Sequence, residues 1–151
     1  MISIERSLDD DLIISQYREH WLDMGLHRAE IRDDWQTSAE RFLHNARIHN
    51  QLVSYVALDE DTPVGSANCH VTEQRYPAFR TMDAERCGYL WGVYVHPQHR
   101  GNGIGSMLID QCLVYLKEIG CARATLHAGQ RSTPLYLRHG FETTDELSRT
   151  I

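Results

Sequence analysis

The stretch Val-His-Pro-Gln-His-Arg-Gly-Asn-Gly-Ile-Gly-Ser, residues 95–106, lies between a strongly β-prone segment and a helical one. Glycines stand at positions 101, 103 and 105, directly after Arg100. Glycine adopts backbone angles that other residues resist, and it lets the main chain approach a ligand closely. Several N–H groups can then converge at a helix N-terminus, where the helix dipole favours an anion. We interpret this stretch as a phosphate or pyrophosphate site, although glycines also form tight strand-to-helix turns that bind nothing.

The segments beside this turn predict a parallel crossover in a mixed sheet. Residues 87–95 (CGYLWGVYV) predict a strand, in which Gly92 indicates a bulge or a close backbone approach. Residues 104–119 place their apolar side chains on one helical face, and Gly120 is suited to end that helix. Residues 122–128 predict the next strand. A strand, a helix and a second strand at this spacing are typical of a parallel β-α-β connection.

The rest of the chain completes a single α/β (α+β) domain, residues 1–151, with the order β-α-α-β-β-β-α-β-α-β. Residues 72–85 lack a clear period and predict a loop or an irregular hairpin, and Phe141 is expected to begin a final strand. The other expected elements are strands at 2–4, 52–58 and 63–71, helices from Asp9 or Asp10 to 25 and from Asp33 or Asp34 to 49, and a short helix at 132–138.

Composition narrows the class of protein. The chain has 151 residues, 42% of them hydrophobic and 24% charged, which is typical of one globular domain. Its net charge of −6 argues against a nucleic-acid partner, which would call for a basic surface. No run approaches the ~20 apolar residues of a membrane span, and the first residues contain no apolar signal segment. Four cysteines without C-x-x-C spacing predict free thiols and a cytoplasmic protein.

The kind of phosphate ligand follows from the glycine spacing. A dinucleotide-binding G-x-G-x-x-G would need a sixth-place glycine, but that place holds Ser106 when counted from Gly101 and Leu108 when counted from Gly103. The chain also has no G-x-x-x-x-G-K-[ST]. The pattern that does occur is R-x-x-G-x-G, residues 100–105, after a strand that ends Val-Tyr-Val.

This pattern resembles the acyl-CoA-binding motif of the GNAT superfamily of N-acetyltransferases. Residues 134–141 (PLYLRHGF) resemble that family's P-L-Y-x-x-x-G-F signature, at the expected distance downstream. The resemblance implies a GNAT-like mixed β-sheet flanked by helices, with splayed central parallel strands, and acetyl-CoA as co-substrate. The residues it places on the coenzyme are Val93, Tyr94, Val95, Arg100, Gly101, Asn102, Gly103, Ile104, Gly105 and Ser106.

The resemblance also suggests catalytic residues. Tyr136 would protonate the leaving thiolate, although a tyrosine on a short helix is by itself more typical of packing. Glu85 lies where relatives often place a general base, but an acidic residue before a strand is commonly a solvated charge, and Tyr89 or His70 could relay a proton instead. No metal is expected, because the pair His96 and His99 lacks a third ligand nearby.

The implied function is an N-acyltransferase that moves an acetyl group directly to a primary amine of a small molecule or peptide. Residues 26–35 and 72–85 are expected to shape the acceptor pocket, and a homodimer is possible. No nucleic acid or membrane is expected as a partner. The alternative is a non-catalytic acyl-CoA-binding or regulatory module, because fold does not fix function.

Overall fold

The computed structural model describes residues 1–73 and 76–151. Apart from a short additional helix at Met82–Glu85, their elements follow the predicted order as far as the fifth strand and the helix after it. They are β1 (Ile2–Arg6), α1 (Asp10–Asp23), a 3₁₀ turn (Arg28–Glu30), α2 (Trp35–His49), β2 (Val53–Asp59), β3 (Thr62–Val71), α3 (Met82–Glu85), β4 (Cys87–Val95), a 3₁₀ turn (Pro97–His99), α4 (Ile104–Glu118), β5 (Arg123–Thr125) and α5 (Thr133–Arg138).

The five strands form one mixed sheet in the order β1-β2-β3-β4-β5. The first four are antiparallel to their neighbours, and β5 is parallel to β4. The α4 crossover therefore connects two adjacent parallel strands, as the spacing around the glycine turn predicts. The prediction of a mixed α/β sheet flanked by helices is confirmed.

The parallel pair separates soon after it begins. Strand β5 pairs with β4 only through three residues, the last pair being Tyr89 with Thr125. On the other side of β4, the register with β3 shifts between the pairs Asn68–Trp91 and Ser66–Tyr94, so β4 carries one extra residue there. This bulge contains Gly92, whose φ is +63°. The splayed central strands expected from the resemblance are thus present, with a bulge at their opening.

Glycine is required at this bulge for two reasons. A positive φ is strained for any residue with a Cβ. A Cβ at position 92 would also lie 3.0 Å from Nδ2 of Asn68 and 3.2 Å from Cδ2 of Tyr17. The backbone of β4 therefore runs directly beneath α1 at the point where the sheet opens.

Hydrophobic residues pack in two clusters, one against each face of the sheet. The larger cluster lies under α4 and α5 and includes Leu90, Ile104, Leu108, Cys112, Leu116 and Tyr136. The smaller cluster lies under α1 and α2 and includes Ile13, Ile14, Leu43, Ala46, Leu52 and Val56. Neighbouring strand residues face opposite sides, which is why Tyr55 belongs to the first cluster and Val56 to the second.

Three expectations for the chain need correction. The strand expected from Phe141 does not form: residues 142–151 are exposed and largely polar, and none of them is in a strand. Strand β5 is shorter than the expected 122–128, because β4 diverges and leaves later residues without a pairing partner. Within residues 72–85 the structure has the short helix α3, while Gln74 and Arg75 lie outside the described residues.

All four cysteines are free, and Cys69 and Cys112 are buried. In the described ranges, no helix has both the length and the apolar character needed to cross a bilayer.

Candidate active site

The glycine turn presents backbone N–H groups at the start of α4. Gly101 and Gly103 have φ values of +80° and +79°, and Gly103 is the N-cap of the helix. Within the described chain no side chain caps this end, and the first turn contains no acidic residue. The first helical N–H groups have no carbonyl one turn before them to bond with. An anion is the missing partner, and the helix dipole favours it.

The polar side chains of the turn hold its shape. Nε of Arg100 donates to the carbonyl of Val95 over 2.8 Å, and the guanidinium pairs with the carboxylate of Asp23 in α1. The same guanidinium lies over the ring of Tyr94, with 6.0 Å from Cζ to the ring centroid. The side-chain amide of Asn102 donates to the carbonyl of His99 over 3.2 Å. These side chains stabilise the turn, so its backbone is left to bind a ligand.

The turn follows directly on a free strand edge. Beyond Tyr89, the edge of β4 that faces β5 has no strand partner among the described residues. Helix α5 lies near the first turn of α4, since a Cβ at Gly105 would lie 3.6 Å from Cδ2 of Leu135 and 3.9 Å from Cγ2 of Val95. An extended ligand could pair with the free edge of β4 as an added strand would.

Tyr136 lies in α5 and belongs to the core cluster under α4 and α5. Its side chain is 8% exposed and packs edge-to-face on Phe141, with ring centroids 5.8 Å apart. Burial raises the pKa of the Tyr136 phenol to about 12, with smaller contributions from Cys112 and Tyr89. The phenol is therefore protonated at neutral pH. It can donate a proton or a hydrogen bond, and it cannot act as a base there.

Glu85 ends helix α3, and its carboxylate binds the loop before it. Oε1 accepts the backbone N–H groups of Arg80 at 2.6 Å and Phe79 at 3.3 Å. It is not among the described residues that line the large cavity of the molecule. The structure thus places Glu85 in a loop-stabilising position.

That large cavity, about 520 Å³, lies between α1, α2 and the bulge of β4. We call it the aromatic cavity, because half of the residues that line it carry aromatic or imidazole rings. Those rings belong to Tyr17, His20, Trp21, Trp35, Phe42, His70, Tyr89, Trp91 and His127. Of the two segments expected to shape an acceptor pocket, 26–35 contributes Arg32 and Trp35, while the described residues of 72–85 contribute none.

Two hydrogen-bonded pairs stand on the sheet side of the aromatic cavity. Nε1 of Trp91 donates to Nδ1 of His70 over 3.0 Å, so the neutral imidazole carries its proton on Nε2. Burial lowers the pKa of His70, and it also lowers that of His20, where the carboxylate of Asp23 partly opposes it. The hydroxyl of Tyr89 is hydrogen-bonded to Nδ1 of His127.

His127 extends the second pair toward the C-terminal residues. Its Nε2 lies 3.9 Å from Oε1 of Glu146. Tyr89, His127 and Glu146 therefore form a line of polar groups from the cavity wall to solvent. The sequence suggests Tyr89 and His70 as proton relays. The pairing of Tyr89 with His127 depends in addition on the parallel register of β4 and β5.

Trp91 and Phe42 are cavity residues that the sequence did not single out. The sequence signal that could have indicated Trp91 is the alternation of side chains in β4, which puts Tyr89 and Trp91 on one face beside His70 of β3.

His96 and His99 are neighbours, with ring centroids 5.8 Å apart. Over residues 1–73 and 76–151, no group of three or more His, Cys, Asp or Glu side chains is arranged to hold a metal ion.

The splayed sheet and the glycine turn at the start of α4 agree with the family that comparison with known proteins gives. The chain belongs to the acetyltransferase (GNAT) family, whose model matches residues 14–141. It is 22% identical over 130 residues to an aminoglycoside N(6′)-acetyltransferase type 1 of Acinetobacter haemolyticus, a match covering 84% of this chain and 86% of that protein. It is 30% identical over 86 residues to the glucosamine 6-phosphate N-acetyltransferase of Trypanosoma brucei brucei, covering 57% of this chain and 55% of that protein.

Among solved structures, a predicted acetyltransferase of Clostridium acetobutylicum, crystallised with acetyl-CoA, superposes with a TM-score of 0.86. It is 25% identical, and the match covers 100% of this chain and 96% of that one. The predicted family, fold class and enzyme class are therefore confirmed.

Proposed function

We propose that the protein transfers an acetyl group from acetyl-CoA to a primary amine of a small molecule or peptide. The observation that carries this proposal is the uncapped N-terminus of α4, which lies at one end of the free edge of β4. The relatives named above support the choice of an amine, since aminoglycosides and glucosamine 6-phosphate both carry one.

The fit of the coenzyme rests on backbone groups. We assign the pyrophosphate to the N–H groups of residues 100–106, and the pantetheine arm to the main chain of Val93, Tyr94 and Val95. Acetyl-CoA supplies the activated acetyl thioester when it is bound. The bulge at Gly92 turns main-chain groups away from their partners in β3, and one of its N–H groups would stabilise the oxyanion that forms during transfer.

Tyr136 would assist the departure of the thiolate. A thiol has an ordinary pKa of about 8.5, and burial raises the pKa of the Tyr136 phenol to about 12. Full proton transfer from the phenol to the thiolate is therefore uphill. We propose that the phenol donates a hydrogen bond that stabilises the charge developing on sulfur, and that solvent restores the proton that passes from the phenol to the departing thiolate.

The proton of the acceptor amine needs a route out of the site. Glu85 stays a candidate base, but its carboxylate already accepts two loop N–H groups. Tyr89 and His127 stand on the cavity wall at the opening of the sheet. We therefore favour the pair Tyr89–His127 as the route by which the amine loses its proton.

Transfer is expected to be direct, without an acyl-enzyme. Cys69 and Cys112 are buried, and the pKa of the Cys112 thiol is raised well above its ordinary value, chiefly by a hydrogen bond with Cys69 and by burial. Nucleophilic cysteines need an accessible thiolate. A cytoplasmic location and a homodimer stay predictions from the sequence.

The test is release of free CoA from acetyl-CoA with a panel of primary amines, together with mass spectrometry of the products. We expect CoA release that depends on the amine, and an acetylated amine in equal amount. In parallel, calorimetry measures the binding of acetyl-CoA to the protein. Binding of acetyl-CoA with no turnover of any amine would favour the regulatory module instead, and an acetylated cysteine that reacts onward would refute direct transfer.

A further inference from the structure

We infer that the acceptor is a small primary monoamine carrying an aromatic ring, and that the aromatic cavity binds this ring. The inference rests on the proposed function, because it names the substrate class of the same site. Three independent features of the cavity support it.

The first feature is the arrangement of rings. Trp91 has Tyr17 and Phe42 edge-to-face on it, with centroids 5.1 Å and 5.5 Å away. The ring of His70 lies next to that of Tyr89, with centroids 5.9 Å apart, and the ring of Tyr89 lies next to that of His127, with centroids 5.6 Å apart. Aromatic rings prefer such edge-to-face and offset contacts, so an additional flat ring finds partners on several sides.

The second feature is apolar surface that the chain itself leaves uncovered. Trp21 is 40% exposed, Phe42 49% and Met24 50%, and all three line the aromatic cavity. Single exposed apolar side chains are ordinary, but a contiguous group around a concave surface is typical of a ligand site. An apolar body on the acceptor would cover these side chains.

The third feature is charge. Among the described residues, no Asp or Glu lines the cavity, and the cation Arg32 already forms two hydrogen bonds to the carboxylate of Asp34. Burial favours the neutral imidazoles of His20 and His70. A polycationic sugar would therefore leave ammonium groups desolvated without partners, and a sugar phosphate would find no free cation.

The cavity also orients such a molecule. Gly92, Tyr89 and His127 line it where the parallel strands separate. The apolar side chains of α1 and α2 lie opposite them. The ring would pack toward the helices, and the single amino group would then point to the sheet opening, where the acetyl group is proposed to lie.

The experiment compares kcat/KM for 2-phenylethylamine and 2-cyclohexylethylamine, which share a carbon skeleton but carry a flat aromatic ring and a puckered saturated ring, respectively. At saturating acetyl-CoA we expect about a tenfold preference for the aromatic amine. Kanamycin and glucosamine 6-phosphate should be at least about a hundredfold poorer than 2-phenylethylamine. A peptide with an N-terminal phenylalanine serves as the larger competitor.

A matched pair of variants places the effect in the cavity. Phe42→Leu removes a cavity ring from the surface of α2 and should reduce the aromatic preference several-fold. Phe79→Leu removes a ring that is 96% exposed and lies outside the cavity lining, and it should leave the preference unchanged.

Each contrary result has its own meaning. Equal rates with the saturated amine, faster turnover of kanamycin or of the sugar phosphate, or a preference for the peptide would overturn the inferred acceptor while leaving amine acetylation in place. An equal loss of preference in Phe79→Leu would overturn the role of the cavity. Transfer to none of the amines would overturn both the inference and the proposed function.

Discussion

Replacing Tyr136 by phenylalanine removes a single hydroxyl from a largely buried side chain of α5. The ring stays, so its edge-to-face contact with Phe141 and its packing in the core under α4 are kept. If the hydroxyl assists the leaving thiolate, kcat should fall by about 100-fold or more, which is the usual contribution of a positioned acid. The affinity for acetyl-CoA should change little, because backbone groups are proposed to hold the coenzyme.

The same substitution has a second consequence at high pH. Burial raises the pKa of the Tyr136 phenol from 10 to about 12, and this difference corresponds to about 3 kcal/mol between protonated and ionised forms. Below pH 10 the phenol is protonated in both folded and unfolded chains, so its contribution to stability is fully present. As the pH rises from 10 through 12, the unfolded chain ionises first and that contribution is lost. At pH 11 the loss should be about 1.4 kcal/mol.

The assay is urea unfolding of both proteins at pH 8 and pH 11, with kcat and acetyl-CoA affinity measured at neutral pH. Other buried tyrosines, such as Tyr55, also have raised pKa values, but they are common to both proteins and cancel in the difference. An unchanged kcat would refute the acid role of Tyr136. Equal losses of stability at pH 11 would refute the effect of burial on its pKa, whatever the kinetics show.

Three further sets of substitutions test the rest of the site. Gly92→Ala places a Cβ at positive φ and 3.0 Å from Asn68, so the free energy of unfolding should fall by about 2–3 kcal/mol, and an unchanged urea midpoint would contradict the strained bulge. Gly103→Val should weaken acetyl-CoA binding, measured by calorimetry, at least about tenfold. Gly103→Asn should weaken it less, because asparagine tolerates a positive φ. Affinities of both variants equal to that of the unaltered protein would count against the turn as the binding site. Tyr89→Phe and His127→Ala should each lower kcat, and the double variant should lose no more than the stronger single one; fully additive losses would show that the two residues do not act as one route.

The sequence predicted the strand, glycine turn and helix around residues 95–106 better than the aromatic cavity, and the reason is the range of the contacts. The turn at residues 95–106 connects adjacent elements, so glycine positions and helix periodicity decide its geometry locally. The aromatic cavity combines Phe42 of α2, His70 of β3 and Trp91 of β4. Their proximity depends on strand register and helix docking, which local patterns do not encode.

The two errors near the C-terminus both concern strand pairing. Residues 122–128 and the segment from Phe141 are expected to form strands from their local composition. Strand β5 is short because β4 turns away from it after Tyr89, and the segment after Phe141 is exposed and pairs with no strand. The bonds of Glu85 to the 79–80 loop depend in the same way on the folded backbone, and its role as a base stays a prediction.

Because the bulged strand β4 borders two different sites, it bears on how the acceptor preference can change in proteins of this fold. One edge of β4 and the turn at its end are the proposed place of the coenzyme, while one face of β4 forms the aromatic cavity with α1 and α2. The cavity rings that belong to α1 and α2 can therefore be exchanged without altering any residue of the glycine turn, provided that Asp23 of α1, which pairs with Arg100, is kept. In the proposed function, changes within residues 10–49 would thus alter the acceptor preference from the helix side of the cavity, while the sheet side and the glycine turn stay as they are.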